Sequence, residues 1–340
     1  MDDVARAARV SVSTVSHVIN GTRKVHADTT AKVAQAIAEL GYIPNSLARS
    51  LARSATATIG VAIPALSNHY FAETVQAIDR ECAKHGLMMM LTDTHDDPAQ
   101  ELRVIRSMHQ RRVDGILLAP CADPEGHTLR YLQANQIPAV LVDRMAEPGF
   151  DQVAVENTQS TAALIAHLLG HGHRRIGFVS GTPASATSAE RLQGYRQALA
   201  EAGLAVDEAL VECGHSAIAP AQAATERLLA LATPPSAIMA GNNLMTIGAM
   251  QTLRDRGLQV PQDMALVGFD DFDWAAFFTP RLTVIRQPLA LQGSLAVQLL
   301  LERIQAPERP CAVHRLQPTL MLRDSCGCAT RTPKAAPPPR

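Results

Sequence analysis

The sequence predicts a small all-α segment followed by a larger α/β body with two lobes. Residues 1–44 contain three short stretches with helical spacing of apolar residues. From Thr58 onward, short apolar runs alternate with amphipathic stretches, which is typical of parallel sheets with crossover helices. The alternation runs through two successive series, and 340 residues are enough for more than one domain.

The clearest helix of the small segment is predicted over residues 12–20. Ser11 has the side-chain oxygen that an N-cap needs, and Gly21 can adopt the left-handed conformation that ends a helix. The apolar residues recur at three- and four-residue spacing and should pack inward: Val15, Val18 and Ile19. The polar residues share the opposite side: Ser13, Ser16, His17 and Asn20.

Two further helices complete the small segment. One is predicted over residues 2–8, where Ala5 and Ala8 are small enough for the next helix to cross closely. The other is predicted over residues 28–40 and should turn three apolar residues inward: Val33, Ile37 and Leu40. The first two helices are a helix-turn-helix candidate, although taken alone they fit a surface bundle equally well.

The domain boundaries follow from turn signals and composition. Pro44 and Asn45 provide a stop and a cap before a short helical stretch. We therefore divide the chain into residues 1–44, a hinge helix and linker over 45–57, a two-lobed body over 58–324 and a tail over 325–340. The tail is expected to be disordered, since prolines cluster near its end.

The body contains two series of predicted strands and helices. Strands of the first series are predicted at 59–63, 87–92, 115–119 and 139–143, and its helices at 70–85, 99–112 and 125–135. Strands of the second series are predicted at 176–180, 209–213, 237–241 and 265–269, and its helices at 160–169, 189–202, 221–231 and 244–256. Two such series imply two lobes with a cleft between them.

Charge is unevenly distributed along the chain. The formal net charge is −1, yet residues 1–56 hold seven basic and four acidic side chains. A basic module on an acidic body suits a duplex nucleic acid as partner of the small segment, although an excess of this size also arises by chance. There is no apolar run near the roughly 18 residues of a membrane span and no charged-then-apolar leader, so we expect a cytoplasmic protein.

The six cysteines give little reason to expect a metal. Four are isolated along the sequence and are expected to be reduced and structural: Cys82, Cys121, Cys213 and Cys311. Cys326 and Cys328 form a close pair, but the pair lacks a second pair or nearby histidines at zinc spacing. We therefore expect no metal and no cofactor. A minor alternative is a metal or redox role for this pair.

The amino-terminal segment resembles a known DNA-binding module. Residues 3–53 contain D-V-A-R-A-A-R-V-S-V-S-T-V-S-H-V-I-N-G-T-R-K-V and L-G-Y-I-P-N-S-L-A-R-S-L-A-R. These words are similar to the headpiece of the LacI/GalR family of bacterial repressors, and T-V-S-H-V-I-N followed by T-R is closest to its purine and ribose branch. Residues 1–44 are called the headpiece from here on.

The body resembles the effector module of the same family, a type I periplasmic-binding-protein-like fold. The matching words are N-H-Y-F-A-E, R-V-D-G-I-L-L, G-H-R-R-I-G-F-V-S-G, E-R-L-Q-G-Y and G-F-D-D. In that fold the chain crosses between lobes more than once, so residues 280–318 are expected to return to the first lobe. The resemblance implies a repressor that binds a pseudo-palindromic DNA operator as a homodimer and responds to a small-molecule effector.

The resemblance also implies which headpiece residues contact DNA. Three side chains should face base edges in the major groove: Val12, Ser13 and His17. Four others should contact phosphates: Ser11, Thr14, Asn20 and Tyr42. Arg23, in the loop after the second helix, is expected at a phosphate or the minor groove, and Leu51 should wedge into the minor groove at the operator centre. His17 stands where the family most often has Arg, and Arg9 stands where it usually has a turn-favouring residue.

Effector-binding candidates follow the carboxyl ends of predicted strands, where open α/β lobes bind ligands. Asp143, Asn242 and Asp270 each follow such a strand. By resemblance, Asp270 and Arg191 clamp the effector, Asn242 adds a hydrogen bond, and Tyr70 or Phe71 packs on an apolar face. Three alternatives stay open for single residues: a turn or cap for Asp270, a solvated helix charge for Arg191 and a core position for Phe71.

Several points about the cleft stay open in the sequence. The effector is expected to be a sugar, sugar acid, sugar phosphate or purine-like compound. Arg144 and His215 could also reach the cleft, and Trp274 could be a stacking platform or an interface residue. Asn243 replaces the Asp usual in the family's N-D-x-x-A-x-G word, which puts the role of Asn242 in doubt.

Two other classes of protein fit less well. A periplasmic sugar receptor would share the body but would have no use for residues 1–53. An enzyme of the doubly wound type would need a phosphate loop or a catalytic constellation. The sequence contains none of the motifs G-x-G-x-x-G, G-x-x-x-x-G-K-[ST] and G-x-S-x-G, so no enzyme and no catalytic residue is expected.

Overall fold

The computed structural model describes residues 1–21, 23–42, 55–146 and 148–328. The chain divides into two compact units, one of residues 1–58 with 112–114 and the other of residues 59–111 with 115–340. The predicted hinge helix and Leu51 lie outside the described residues.

The headpiece contains three helices: α1 (Asp2–Ala8), α2 (Val12–Asn20) and α3 (Ala27–Leu40). Its core has six buried residues: Val4, Ala5, Ala8, Val15, Val33 and Ala36. Val18, Ile19 and Ile37 pack against this core as expected. The prediction that Leu40 faces inward is wrong. Leu40 is 49% exposed because Ala36, one turn earlier, takes the buried place.

The first lobe is a six-stranded sheet with helices on both faces. Its strands are β1 (Thr58–Ile63), β2 (Met88–Asp93), β3 (Gly115–Leu118), β4 (Ala139–Val142), β5 (Asp151–Val155) and β11 (Val313–Leu316). They lie in the order β11-β5-β4-β3-β1-β2. Its helices are α4 (His69–Lys84), α5 (Pro98–Gln110), α6 (His127–Ala134) and α11 (Leu289–Gln305). β1, β3 and β4 are almost fully buried, as uninterrupted apolar runs predict.

The second lobe repeats this architecture. Its strands are β6 (Ile176–Ser180), β7 (Val211–Cys213), β8 (Ala237–Ala240), β9 (Ala265–Phe269), β10 (Thr283–Arg286) and β12 (Thr319–Met321), in the order β12-β10-β9-β8-β6-β7. Its helices are α7 (Thr158–Gly170), α8 (Ala186–Glu201), α9 (Ile218–Leu229) and α10 (Asn243–Asp255). β12 is antiparallel to β10 and the other recorded pairs are parallel.

The chain passes between the lobes three times, after β5, after β10 and after β11. The expected return of residues 280–318 to the first lobe is therefore correct for α11 and β11 and wrong for β10. β10 lies in the second sheet because it pairs with β9 on one side and β12 on the other.

The sequence pattern missed β5, which begins with two polar residues. Asp151 and Gln152 are nonetheless 0% and 2% exposed. The Asp151 carboxylate pairs with Arg303 at 2.9 Å and Arg309 at 3.0 Å, and the Gln152 amide exchanges hydrogen bonds with the backbone of Ala146. Buried polar groups that are satisfied in this way leave no apolar signal in the sequence.

The first residues of the predicted tail belong to the second lobe. The Ser325 hydroxyl donates to the Leu266 carbonyl at 2.6 Å, and the Leu266 N–H donates to the Ser325 carbonyl at 2.9 Å. Cys326 is buried among apolar residues of the lobe. The expectation of disorder is therefore wrong for residues 325–328, and residues 329–340 lie outside the described ranges.

None of the helices in the described ranges is long and apolar enough to cross a lipid bilayer.

Candidate functional site

The second helix of the headpiece is capped at both ends as the sequence predicts. The Ser11 side-chain oxygen accepts a hydrogen bond from the Thr14 N–H at 3.1 Å. Gly21 closes the helix with φ +65°, in the left-handed region that glycine adopts without cost. These two caps fix the start and end of α2 and therefore the direction in which its polar face points.

The polar face of α2 presents short side chains. Val12 and Ser13 are exposed, while His17 and Asn20 are half-buried. The Ser11 hydroxyl lies 2.8 Å from the hydroxyls of both Ser13 and Thr14. Short hydroxyl, amide and imidazole groups on an exposed helix can approach base edges and phosphates closely.

The other predicted DNA-contact residues lie at the ends of this region. Arg23 is exposed in the loop after α2. Tyr42 is half-buried and packs against the headpiece core, and its backbone N–H donates to the Ile37 carbonyl at 3.0 Å. Tyr42 therefore also has a structural role that the sequence did not indicate. Arg9 adopts φ +54° at the end of α1, which is uncommon for a residue with a long side chain.

A polar cleft lies between the two lobes of the body, with a volume of about 310 Å³. Its wall includes all six predicted effector residues: Tyr70, Phe71, Asp143, Arg191, Asn242 and Asp270. Arg144 and His215 also line it. Asp143 and Asp270 directly follow β4 and β9, so the carboxyl ends of strands in both sheets meet at this cleft.

On the first lobe, Asp143 is buried between a phenol and a guanidinium. The Tyr70 hydroxyl donates to Asp143 Oδ1 at 2.7 Å, and Arg144 Nε lies 3.9 Å from Asp143 Oδ2. Burial raises the pKa of Asp143, although Arg144 opposes this change. Burial and the neighbouring Asp143 charge raise the pKa of Tyr70 well above its usual value. Tyr70 therefore remains a hydrogen-bond donor to the carboxyl group.

Arg144 is held in place by a second carboxylate. Its guanidinium forms a two-nitrogen ion pair with Asp96 and donates to the Pro120 carbonyl at 3.2 Å. Burial disfavours its charge, but hydrogen bonding and attraction from Asp96 raise the pKa of Arg144 overall. Asp96 also lines the cleft. Sequence reasoning missed it, although it follows the carboxyl end of β2 and fits the rule that found Asp143.

On the second lobe, Asp270 is held by amide donors. Gln287 Nε2 donates to Asp270 Oδ1 at 2.6 Å, and the Asn243 N–H donates to Oδ2 at 3.3 Å. Gln287 also lines the cleft and follows β10. The sequence did not indicate it because β10 was expected in the other lobe.

Arg191 is buried and oriented by two hydrogen bonds and an aromatic ring. Its Nε donates to Asn157 Oδ1 at 2.9 Å and its Nη1 to the Gly241 carbonyl at 2.6 Å. The guanidinium carbon lies 3.6 Å from the centre of the Phe269 ring. The Arg191 side chain is thus fixed before any ligand arrives, and its Nη2 has no acceptor among the residues that the structure describes.

Asn242 acts as a helix cap as well as lining the cleft. Its side-chain oxygen accepts from the Met245 N–H at 2.8 Å and its amide donates to the Ser216 carbonyl at 3.3 Å. Trp274, by contrast, is not among the residues that line the cleft. It is 41% exposed and contacts Phe272 and Phe278, so its position does not favour the first of its two alternatives, a stacking platform for a ligand in the cleft.

Family models match both parts of the chain. Residues 1–45 match the model for bacterial regulatory proteins of the lacI family. Residues 56–322 match the model for periplasmic binding proteins and the sugar-binding domain of the LacI family. The chain belongs to the LacI family.

Two curated LacI-family repressors cover nearly the whole chain. The ribose operon repressor of Escherichia coli K12 is 38% identical over 327 residues, which are 96% of this chain and 99% of that protein. The transcriptional repressor PurR of Aliivibrio salmonicida is 34% identical over 325 residues, which are 95% and 97% of the two proteins. These relatives confirm the purine and ribose branch, and they are transcriptional repressors rather than enzymes.

Solved LacI-family structures share the fold. The Lac repressor dimer bound to operator and the anti-inducer ONPF aligns with a TM-score of 0.86 at 27% identity, covering 95% of this chain and 98% of that one. A complex of the regulator CelR with cellobiose aligns with a TM-score of 0.74 at 30% identity, over 95% and 98%. The predicted fold class, a helix-turn-helix headpiece with a type I periplasmic-binding-protein-like body, is confirmed.

The departure at Asn243 has a structural consequence in this LacI-family chain. Asn243 Nδ2 donates to Asn68 Oδ1 at 2.8 Å and thereby joins the second lobe to the first. Asn68 also caps α4 by accepting from the Tyr70 N–H at 3.0 Å. A carboxylate at position 243 would have no proton to donate to Asn68. Sequence reasoning noted the substitution but could not have found its partner.

Proposed function

We propose that this LacI-family regulator is a repressor that binds a pseudo-palindromic operator as a homodimer and is controlled by a neutral sugar in the cleft between its lobes. The proposal rests on one observation. A chain with a helix-turn-helix headpiece also has Asp143, Asp270 and Arg191 facing one cleft from two lobes. Carboxylates and a guanidinium bind adjacent hydroxyl groups in pairs, which is how proteins hold sugars.

The headpiece reads the operator through α2. Val12, Ser13 and His17 face base edges in the major groove, and Ser11, Thr14 and Asn20 contact phosphates. Arg23 and Tyr42 extend the phosphate contacts, and Leu51 inserts into the minor groove at the operator centre. A homodimer places two copies of α2 in successive major grooves, which requires an operator with two-fold symmetry.

The charges of the cleft favour a neutral effector over an anionic one. Three carboxylates, Asp96, Asp143 and Asp270, line it together with two guanidinium groups, Arg144 and Arg191. Arg144 is already paired with Asp96. Arg191 bonds only to neutral acceptors, but with three carboxylates against two guanidinium groups the lining would still oppose the added negative charge of a sugar phosphate or sugar acid. A neutral sugar can instead donate hydrogen bonds from its hydroxyl groups to Asp143 and Asp270.

The aromatic side chains favour a sugar over a purine. Tyr70 and Phe71 both come from α4 and pack edge-to-face with ring centres 4.9 Å apart. A flat base is held best between two aromatic faces, whereas the apolar face of a sugar needs only one such wall. The similar proteins include a ribose operon repressor and a regulator bound to cellobiose, and a neutral sugar of this kind fits a cavity of about 310 Å³.

Thermal unfolding of the full chain tests the effector. We expect a neutral pentose or hexose to raise the transition temperature by several degrees, because a ligand at about a hundred times its dissociation constant stabilises by about 2.7 kcal/mol. Sugar phosphates, sugar acids and purine bases serve as comparison ligands. A shift with hypoxanthine or guanine alone, or with a sugar phosphate alone, would contradict the assignment of a neutral sugar.

Selection of bound sequences from a randomised duplex pool tests the DNA-binding part separately. We expect a pseudo-palindromic consensus and a steep loss of affinity with added salt, since phosphate contacts release counterions. Adding the sugar identified by thermal unfolding should change operator affinity. Enrichment of an asymmetric site, or no enrichment at all, would contradict binding as a dimer with two-fold symmetry.

A further inference from the structure

Four side chains suited to a soft metal ion meet in the second lobe, away from the cleft residues. His167 lies in the last turn of α7, and His171 caps that helix one turn later. Cys326 and Cys328 lie beyond β12 in the last described residues. Although more than 150 residues separate the two pairs, Cys328 Sγ lies 3.1 Å from His167 Nε2 and 3.2 Å from His171 Nε2.

Three of the four ligand atoms, those of His167, His171 and Cys328, lie close to the spacing that one ion needs. Cys328 Sγ is also 2.8 Å from Cys326 Sγ. One ligand atom from each of His167, His171 and Cys328 lies within 4.8 Å of the other two. Ligand atoms around a tetrahedral zinc ion are about 3.3–3.8 Å apart, given bonds of about 2.0–2.3 Å. The spacing of these three ligand atoms is therefore close to that of a metal site, and Cys326 Sγ beside Cys328 Sγ is the candidate fourth ligand.

The local backbone brings the two sulfurs to the same side of the chain. Gly327, between the cysteines, has φ +85°, a left-handed conformation that a residue with a side chain rarely adopts. Ser325, just before them, bonds to Leu266, and its hydroxyl accepts from the Thr283 N–H at 2.8 Å. The segment is thus fixed against the sheet independently of the histidines.

One of the two sulfurs has a hydrogen-bond donor beside it. The Thr283 hydroxyl donates to Cys326 Sγ at 3.2 Å, and hydrogen bonds of this kind orient and stabilise metal-bound sulfur. Cys326 is buried, while the other three side chains are half-buried. An ion can therefore enter from the surface and is then enclosed by protein ligands.

We propose that His167, His171, Cys326 and Cys328 form a Cys₂His₂ site for a zinc ion. Two thiolates and two imidazoles are a ligand set that selects zinc over magnesium or calcium, which prefer oxygen. On binding, two sulfur–zinc bonds form, and the two thiol protons pass to solvent. With four protein ligands the site is closed, so it braces residues 326–328 against α7 and performs no chemistry. This proposal does not depend on the identity of the effector.

The structure places two histidines beside the cysteine pair, which the sequence did not lead us to expect. The C-x-C pair is expected to lack histidine partners, because none lies nearby in the sequence at zinc spacing. The histidines instead precede it, as an H-x-x-x-H pair at the end of α7. Residues four apart on a helix lie on the same face, so this spacing presents two imidazoles to one point.

The test uses the full chain purified under a phosphine reductant that does not chelate metals. We expect about one zinc per chain by elemental mass spectrometry. After the zinc is removed by a chelator, added Co²⁺ should produce visible d–d absorption and near-ultraviolet thiolate-to-cobalt absorption typical of a tetrahedral thiolate site. Zinc removal should also lower the temperature of unfolding, since binding to the folded chain stabilises it.

Two variants and two controls make the test specific. His167→Gln and Cys328→Ser should each weaken zinc affinity at least about tenfold and change the cobalt spectrum. His85→Gln and Cys311→Ser, which replace an exposed histidine and an exposed cysteine elsewhere, should change neither. His167→Gln keeps the test valid if Cys328→Ser folds poorly.

Three outcomes would overturn the proposal. One is reduced protein that yields neither zinc nor a thiolate–cobalt spectrum. Another is zinc that persists unchanged in both variants. The third is a chain that, even when purified without oxygen and with reductant, has the mass expected for a Cys326–Cys328 disulfide.

Discussion

The two lobes place an aspartate at the same topological point but surround it differently. Asp143 follows β4 and Asp270 follows β9, and both strands occupy the third position in their sheet orders. Both residues adopt left-handed φ values, +68° and +74°. Asp143 faces a phenol and a guanidinium, whereas Asp270 accepts from the amides of Gln287 and Asn243.

The same position in the fold thus serves a different purpose in each lobe. The donors of Asp270 are neutral and lie on its own lobe or at a crossover, so its side chain is oriented by uncharged groups. Burial raises the pKa of Asp143, so in the folded protein its charge costs free energy that a ligand or a nearby cation can offset. We infer that Asp270 fixes the effector and that Asp143 couples its binding to stability.

The largest expected effect belongs to Asp270. Asp270→Asn keeps the side-chain shape, tolerates the left-handed backbone and still accepts from Gln287, but it removes the charge. A hydrogen bond to a charged group contributes about 1.5–3 kcal/mol, so we expect effector affinity to fall about tenfold to a hundredfold. Isothermal titration measures it. Asp255→Asn, at an exposed site, is the control, and unchanged affinity in Asp270→Asn would remove Asp270 from the effector site.

At Asp143 we expect a smaller loss of effector affinity, together with a gain in the stability of the folded protein when the charge is removed. The folded-state pKa lies above the unfolded value of about 3.9, so the folded state holds the proton more tightly. The stability contributed by this group therefore falls as pH rises from about 4 through the folded pKa. Asp143→Asn, which cannot ionise, should melt higher than the parent at pH 7 and show no such gain near pH 4.

The same variant should bind effector less tightly, by about tenfold, since a neutral amide accepts a weaker hydrogen bond. Thermal unfolding between pH 4 and pH 8 and ligand titration measure the two effects separately. Asp79→Asn, on the exposed side of α4, is the matched control. If Asp143→Asn melts lower than the parent at pH 7, the charge of Asp143 is stabilising and the contrast with Asp270 is lost.

The third prediction concerns the contact that joins the two aspartate environments. Asn243→Asp removes the donor to Asn68, and a lost hydrogen bond of this type costs about 0.5–1.5 kcal/mol. We expect a larger radius of gyration of the effector-free protein by small-angle scattering and a change of less than about tenfold in effector affinity. Asn135→Asp, on the surface of the first lobe, controls for the added charge.

Local signals were enough to predict much of this molecule. The bounds of α1 and α2 follow from caps and helical periodicity within a few residues, and both aspartates follow from the rule that ligands bind at strand ends. β5 was missed because it begins with buried polar residues, and the partners of the first, Asp151, lie more than 150 positions away. Periodicity reports average apolarity and carries no information about such pairs.

Contacts between distant segments explain the remaining differences. Asn68 and Asn243 are 175 residues apart, and His167 and Cys328 are 161 apart. Each residue looks ordinary in its own stretch of sequence, and only the fold brings the partners together. Site residues that follow a recognisable strand, such as Asp143 and Asp270, could therefore be predicted. Gln287 could not, because it lies where the chain crosses between the lobes.

The smallest expected effect tests whether polar contacts between the lobes contribute equally. Arg315 in β11 pairs with Glu190 in α8 at 2.6 Å, but both side chains are partly exposed. Such pairs contribute about 0.2–1 kcal/mol and weaken with salt. Arg315→Gln should therefore change effector affinity by less than about fivefold at low salt and hardly at all at high salt. If Arg315→Gln changes effector affinity more than Asn243→Asp does, the Arg315–Glu190 pair influences effector binding more than the Asn68–Asn243 contact.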